Sequence, residues 1–206
     1  MTPNFQAAKT YVLQRLENEL ASNLFYHGIH HTRDDVLPAA QQLGKLEGIT
    51  QEDQLLLNTS ALYHDMGYIE QYKQNEAIAV RIANQTLPNF GYSRAQIERI
   101  RKTIMATQLK VINGKFMQNP NPNDILQQLI CDADLDSLGR KDFFRVGETL
   151  RQELKEYGMP KEREKWLKGQ LAFQQSHTYF TNAARTLRNQ GKKNNIKRLQ
   201  ELLANE

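Results

Sequence analysis

The stretch Ala61-Leu62-Tyr63-His64-Asp65-Met66-Gly67 constrains this chain more than any other. An imidazole and a carboxylate stand side by side at the end of an apolar helical run, with a glycine two residues on. Adjacent residues on a regular helix point about 100° apart, so His64 and Asp65 can share a partner only where the helix ends. Gly67 is expected to let the chain turn sharply there, so that both side chains converge on one small object. A divalent cation is such an object, because it accepts nitrogen and oxygen ligands together. A lone His-Asp dipeptide is commonplace; the weight comes from the rest of the chain.

Helical spacing recurs along the sequence. Phe5, Ala8, Val12, Leu16 and Leu20 mark an opening amphipathic helix over about 5–21. A second is expected from about Ile29, carrying Val36, Ala40, Leu43 and Leu46 and stopped by Gly48. Thr50 and Asp53 read as a capping box, opening the helix that delivers His64 and Asp65. Further helices are expected over 75–87, from the Ser93 cap through Ile104, over 124–131, 142–157 and 161–189, and from about Asn194 to the end. Asn113-Gly114 and residues 119–123 mark the longest loop. No segment alternates with period two, so no sheet is expected. The fold class that follows is all-α: a compact single-domain helical bundle over 1–206.

At 206 residues the chain is long enough for one good core. Its formal charge of +4 is mild, so nucleic acid is not an expected partner. Cys131 is the single cysteine, which rules out intramolecular disulfides and cysteine-rich zinc sites. The first ten residues lack a signal-peptide pattern, and no apolar run is long enough for a bilayer. A cytoplasmic protein without a membrane partner is the expectation; a homodimer stays open, with no heptad seam to argue for it.

His27, His30 and His31 cluster ahead of His64, and Asp132, Asp134 and Asp136 sit among Leu129, Ile130, Cys131, Ala133 and Leu135. Carboxylates in apolar company are costly to bury unless a cation or a donor compensates them. The three clusters together offer a His, His-Asp, Asp ligand set for one divalent ion. Nitrogen and oxygen ligands without thiolate suit Mn²⁺, Fe²⁺, Ni²⁺, Co²⁺ or Zn²⁺ better than Mg²⁺ or Ca²⁺.

Taken in order, Tyr26-His27-Gly28-Ile29-His30-His31, Tyr63-His64-Asp65-Met66-Gly67 and Asp132-Ala133-Asp134 resemble the HD superfamily of metal-dependent phosphohydrolases. The resemblance covers about 24–140, an HD-type core, and leaves 141–206 as a C-terminal helical extension packed over or beside the site. It implies that His31, His64, Asp65 and Asp134 hold the metal, with Asp132 as runner-up to Asp134 and Mg²⁺ among the candidate ions. His64 and Asp65 would be catalytic, Asp65 orienting a water that the metal activates. The resemblance departs where many members carry further histidines: here the chain reads Asn75-Glu76, so a single ion is favoured over two.

The activity so implied is hydrolysis of a phosphoester or phosphoanhydride in a nucleotide or another small phosphorylated metabolite. The alternatives are a phosphodiesterase for cyclic or signalling nucleotides, a two-iron oxygenase, and a non-catalytic nucleotide-binding module. Arg33, His27 and His177 are the candidate substrate contacts, and basic residues are expected to hold phosphate. Asp35 is a candidate partner for a metal ligand, Thr107 and Gln108 for the pocket mouth, and Asp136 for a structural role. Trp166, Phe173 and Phe180, seven apart, read as a packing stripe.

Overall fold

The computed structural model describes residues 2–205. Among them are nine α-helices: α1 (Phe5–Glu19), α2 (Leu37–Glu47), α3 (Gln51–Tyr63), α4 (Asn75–Thr86), α5 (Arg94–Ala106), α6 (Ile125–Asp134), α7 (Phe143–Glu156), α8 (Arg163–Ser176) and α9 (Asn182–Ala204). The all-α class is what the structure shows, and no described helix is long and apolar enough to cross a membrane.

The central helix is α3, packed by α1, α2, α5 and α6. Leu56, Leu57, Ala61, Leu62 and Tyr63 are all fully buried, so the C-terminal half of this helix is enclosed on nearly every side while its polar first turn stays at the surface. Thr50 Oγ1 accepts the Asp53 N–H and starts α3, as the cap pattern predicts. Ser93 and Gln96 form a reciprocal capping box at the start of α5.

Three expectations need correction. Residues 110–117 form a two-stranded antiparallel hairpin, β1 (Lys110–Ile112) and β2 (Lys115–Met117). Asn113 and Gly114, at φ of 51° and 74°, make the tight turn that an Asn-Gly pair favours. The strands are three residues long and largely exposed, too short to show alternation. Second, the helix expected over 161–189 breaks at 177–181, and α9 starts at Asn182 rather than near Asn194. No glycine or proline marks that break. It is held from a distance by Asp132 on α6, which accepts the N–H groups of Phe180 and Thr181 (2.8 Å each) and the Thr181 hydroxyl (2.7 Å). Third, the helix expected from Ile29 begins as a π-helical turn over His31–Val36 before α2. Pro38, in the first turn of α2, has no N–H and its ring crowds the carbonyl four residues back, so the regular ladder is interrupted there.

The C-terminal helices are tied to the rest by buried polar contacts. Asn195 Nδ2 donates to the carbonyls of Leu138 and Arg140 at 3.0 and 2.9 Å. Arg188 makes a two-pronged pair with Asp136 at 2.6 and 3.0 Å, the structural role expected of that aspartate.

Candidate metal centre

The wide turn after Gly28 carries His31, the C-terminal end of α3 carries His64 and Asp65, and the last turn of α6 carries Asp134. These three places come together in the fold. His31 Nε2 lies 3.1 Å from Asp134 Oδ1 and 3.7 Å from Asp65 Oδ2. His64 Nε2 lies 3.2 Å from Asp65 Oδ2 and 3.6 Å from Asp134 Oδ1. His31, His64 and Asp65 are all buried, and each offers one ligand atom within 4.8 Å of the others, a group able to hold a metal ion.

Two observations bear on whether the residues fit a cation. His64 Nε2 and Asp65 Oδ2 are buried with no hydrogen-bond partner, a costly arrangement unless something between them compensates. The remaining atoms of these side chains are tied back by the protein. His64 Nδ1–H donates to the Ala61 carbonyl at 2.9 Å, which turns Nε2 into the cluster. Asn75 Nδ2 donates to Asp65 Oδ1 at 3.4 Å, and Gln118 Nε2 donates to Asp134 Oδ2 at 2.7 Å. Each carboxylate thus has one oxygen held by a side-chain amide and the other facing the histidines. That division, an orienting donor outside and a ligand atom facing inward, is typical of metal ligands.

The charges agree with the geometry. Burial alone would lower the His64 pKa, yet the negative charges of Asp65 and Asp134 hold it well above its ordinary value. Burial would raise Asp134, but hydrogen bonding from His31 and His64 holds it well below the usual carboxylate range.

Gly67 acts differently from what the sequence suggests. It is not in the left-handed region; it is glycine because a Cβ there would lie 1.9 Å from the Asn75 carbonyl oxygen. The backbone at Gly67 packs directly on Asn75, and that contact brings the Asn75 amide to Asp65. From the sequence, Asn75 stands out only as a departure from the resemblance, and Gln118 does not stand out at all. Asn75 sits where the HD resemblance lacks its further histidine, which was the available signal; Gln118 follows the hairpin and had none.

His27 stands beside the cluster and lines both cavities next to it. Glu153 on α7, fully buried, accepts from His27 Nδ1 (2.5 Å), the Tyr26 and His27 backbone N–H groups (2.8 and 3.0 Å) and the Tyr72 hydroxyl (3.0 Å). Although burial opposes it, the hydrogen bond that His27 donates to Glu153 and the charges of Asp65, Glu153 and Asp134 together raise the His27 pKa. Tyr68 stacks on the ring at 4.2 Å. Glu153 was missed because a glutamate on an amphipathic helix, 126 residues from His27, looks like any solvated acid.

Other candidates are elsewhere. Arg33 is on the surface, paired with Asp34 at 2.8 Å, and lines neither cavity next to the cluster. Its side chain points away because the π-helical turn aims His31 inward. His177 is likewise remote: it is buried against Tyr179 and Phe173, and both ring nitrogens lack partners. Burial, with Lys192 nearby, lowers its pKa to about 3, so it stays neutral. Asp35 pairs with Arg140 (2.5 Å) instead of a metal ligand. Asp132 binds the 180–181 backbone and faces away from the histidines.

Two cavities meet at the cluster, sharing His27, Tyr68, Leu109 and Asp134. The smaller, about 360 Å³, is polar, lined by Asp65, Gln74, Asn75 and Glu76 and, as expected, by Thr107 and Gln108. The larger, about 450 Å³, runs between α7 and α8 and is lined mainly by apolar and aromatic side chains, Trp166 and Phe173 among them. Among the described residues, no lysine or arginine lines either cavity, contrary to the expected basic phosphate contacts.

No family model matches this chain, and no curated protein does. Among solved structures it is similar to a crystal structure of a Lactobacillus plantarum protein, a Northeast Structural Genomics target, at 17% identity. The likeness covers 98% of this chain and 97% of that one with a TM-score of 0.66. At that identity the likeness establishes a shared fold over nearly the whole length of both chains.

Proposed function

We propose that this protein is a metal-dependent phosphohydrolase acting on a small phosphorylated molecule. The observation that carries the reading is the convergence of His31 Nε2, His64 Nε2 and Asp65 Oδ2, all buried, with Asp134 Oδ1, half-buried beside them; two of these atoms have no hydrogen-bond partner. Those four atoms would hold one divalent ion. The ion would supply Lewis acidity toward a phosphoryl oxygen and a more acidic bound water. Ala61, Asn75 and Gln118 fix the ligand atoms in place before any ion arrives, so little reorganisation is needed on binding.

In this reading His27 meets the substrate. Glu153 holds its Nδ1, which leaves Nε2, on the opposite edge of the ring, toward the cavities. In the protonated form that Glu153 favours, it donates to a phosphoryl or leaving-group oxygen. Tyr26, Tyr68 and Tyr72 wall the cavity on that side.

The test is metal uptake by chelator-treated protein, with phosphate release from a panel of phosphoesters after Mn²⁺, Co²⁺, Ni²⁺, Zn²⁺ or Mg²⁺ addition. About one ion per chain is expected, with turnover lost in His64→Ala and Asp134→Asn. Absence of uptake, or turnover indifferent to both substitutions, would end the reading.

A further inference from the structure

The larger cavity and the helix beside it speak to the substrate class, on the footing that the metal cluster is a phosphohydrolase site. The cavity begins at Asp134 and His27 and continues between α7 and α8, walled by Phe143, Leu150, Leu154, Trp166 and Phe173. Its volume of about 450 Å³ is that of a small-ligand site. Phe116 and Leu109 of the hairpin region line it too, and they are 62% and 47% exposed, large apolar side chains left at its edge.

Gly147 lies in the middle of α7, where glycine costs about 1 kcal/mol relative to alanine. Nothing in the packing demands it. Its φ is not positive, and a Cβ there would come no nearer than 4.0 Å to Trp166 and Gln170 across the cavity. A side chain at 147 would occupy the cavity, so the missing side chain is ligand space.

The charge on the walls is equally informative. A nucleoside di- or triphosphate carries several negative charges and needs cations beyond one metal ion. The lining of both cavities includes Asp65, Asp134 and Glu76 and no lysine or arginine. A polyanion would be repelled, whereas one phosphoryl group can be met by the metal and His27.

We propose that the substrate is a phosphomonoester of an apolar alcohol, alkyl or aryl, whose hydrocarbon part lies in the cavity between α7 and α8 while its single phosphoryl group meets the metal cluster. In the reaction, water adds to phosphorus and the P–O bond to the alcohol breaks. The departing oxygen takes a proton, giving the free alcohol and inorganic phosphate. Burying the hydrocarbon supplies the binding free energy that a nucleotide would seek from charge and base-edge hydrogen bonds.

Trp166 is the single tryptophan of the chain and lines the cavity, so its emission reports occupancy independently of turnover. Ethyl, butyl and hexyl phosphate would be titrated into the full chain, chelator-treated and Mn²⁺-loaded, with AMP as the competing nucleotide. Hexyl phosphate is expected to change Trp166 emission saturably, with affinity rising about three- to fourfold per added methylene. Gly147→Phe should abolish the change and Gly147→Ala should keep it. The chain-length series on the unaltered protein holds the test open should Gly147→Phe fail to fold. Absence of a chain-length dependence, or displacement of hexyl phosphate by AMP at equal concentration, would overturn the proposal. Length-dependent binding without phosphate release under any metal would support the cavity's occupant and end the hydrolase reading instead. Metal-dependent turnover of AMP with no preference for hexyl phosphate would do the reverse.

Discussion

Gln118 Nε2 donates to Asp134 Oδ2 at 2.7 Å and also to the Thr107 carbonyl at 2.9 Å, which ties the end of the β1–β2 hairpin to the His-Asp cluster. The contact fixes which oxygen of Asp134 is left for His31. Gln118→Leu removes the donor while roughly keeping the side-chain volume. Metal affinity is expected to fall about ten- to a hundredfold, the usual effect of losing such an orienting partner. Equilibrium dialysis with Mn²⁺ measures it; an unchanged affinity would mean that Gln118 only holds the hairpin.

Asp132 and Asp134, two residues apart on one helix, should separate cleanly by substitution. Asp132→Ala strands the buried N–H groups of Phe180 and Thr181, and a loss on the order of 3 kcal/mol is expected, with metal stoichiometry kept. Asp134→Ala should instead lose the metal. Urea denaturation and metal analysis on both variants decide, and loss of metal from Asp132→Ala in a folded protein would reverse the assignment.

Metal binding should release protons. Asp65 and Asp134 keep His64 protonated to higher pH than usual, and its Nε2 must give up that proton to coordinate an ion. Calorimetry near neutral pH in buffers of differing ionisation enthalpy is expected to show close to one proton released per ion bound. A buffer-independent enthalpy would argue that His64 is already neutral.

The Glu153–His27 pair predicts the alkaline limb of turnover. Burial depresses His27, but the Glu153 hydrogen bond together with the charges of Asp65, Glu153 and Asp134 outweighs it, so the charged imidazole persists above its ordinary 6.5 and is lost as pH rises past the raised value. Glu153→Gln removes most of that support, and the alkaline limb should move to lower pH. NMR titration of His27 should move with it. A limb that stays in place would take His27 out of the reaction.

His177 predicts an acid limb in stability. The unfolded imidazole takes a proton near 6.5 while the buried one does so only near about 3. Between those values the unfolded chain holds the extra proton, so stability declines as pH falls through the window, by a total on the order of 5 kcal/mol. His177→Leu should flatten that decline without touching turnover. An equally steep acid limb in the variant would assign the decline to other groups.

Much of this molecule is legible in the sequence because its information is local. The apolar period that sets α1, α3 and α5, the Thr50 and Ser93 caps, and the His64-Asp65 pair at a helix end each act within a few residues. The three motif segments around His31, His64-Asp65 and Asp134 can be read without knowing how they meet. Other features are decided by contacts across the fold. The break between α8 and α9 depends on a carboxylate 48 residues away from Phe180. Gly67 is required by the backbone of Asn75 rather than by its own torsion angles. Arg33, Asp35 and His177 look like site residues by type and position, yet the π-helical turn and the packing of α8 send them elsewhere. Glu153, Gln118 and the apolar cavity at Gly147 carry no local signature, since a partner 126 residues distant or the space between two helices exists only once the chain has packed. Short-range hydrogen bonding and hydrophobic periodicity are written in sequence order; burial, close approach and the pairing of distant charges are properties of the assembled core.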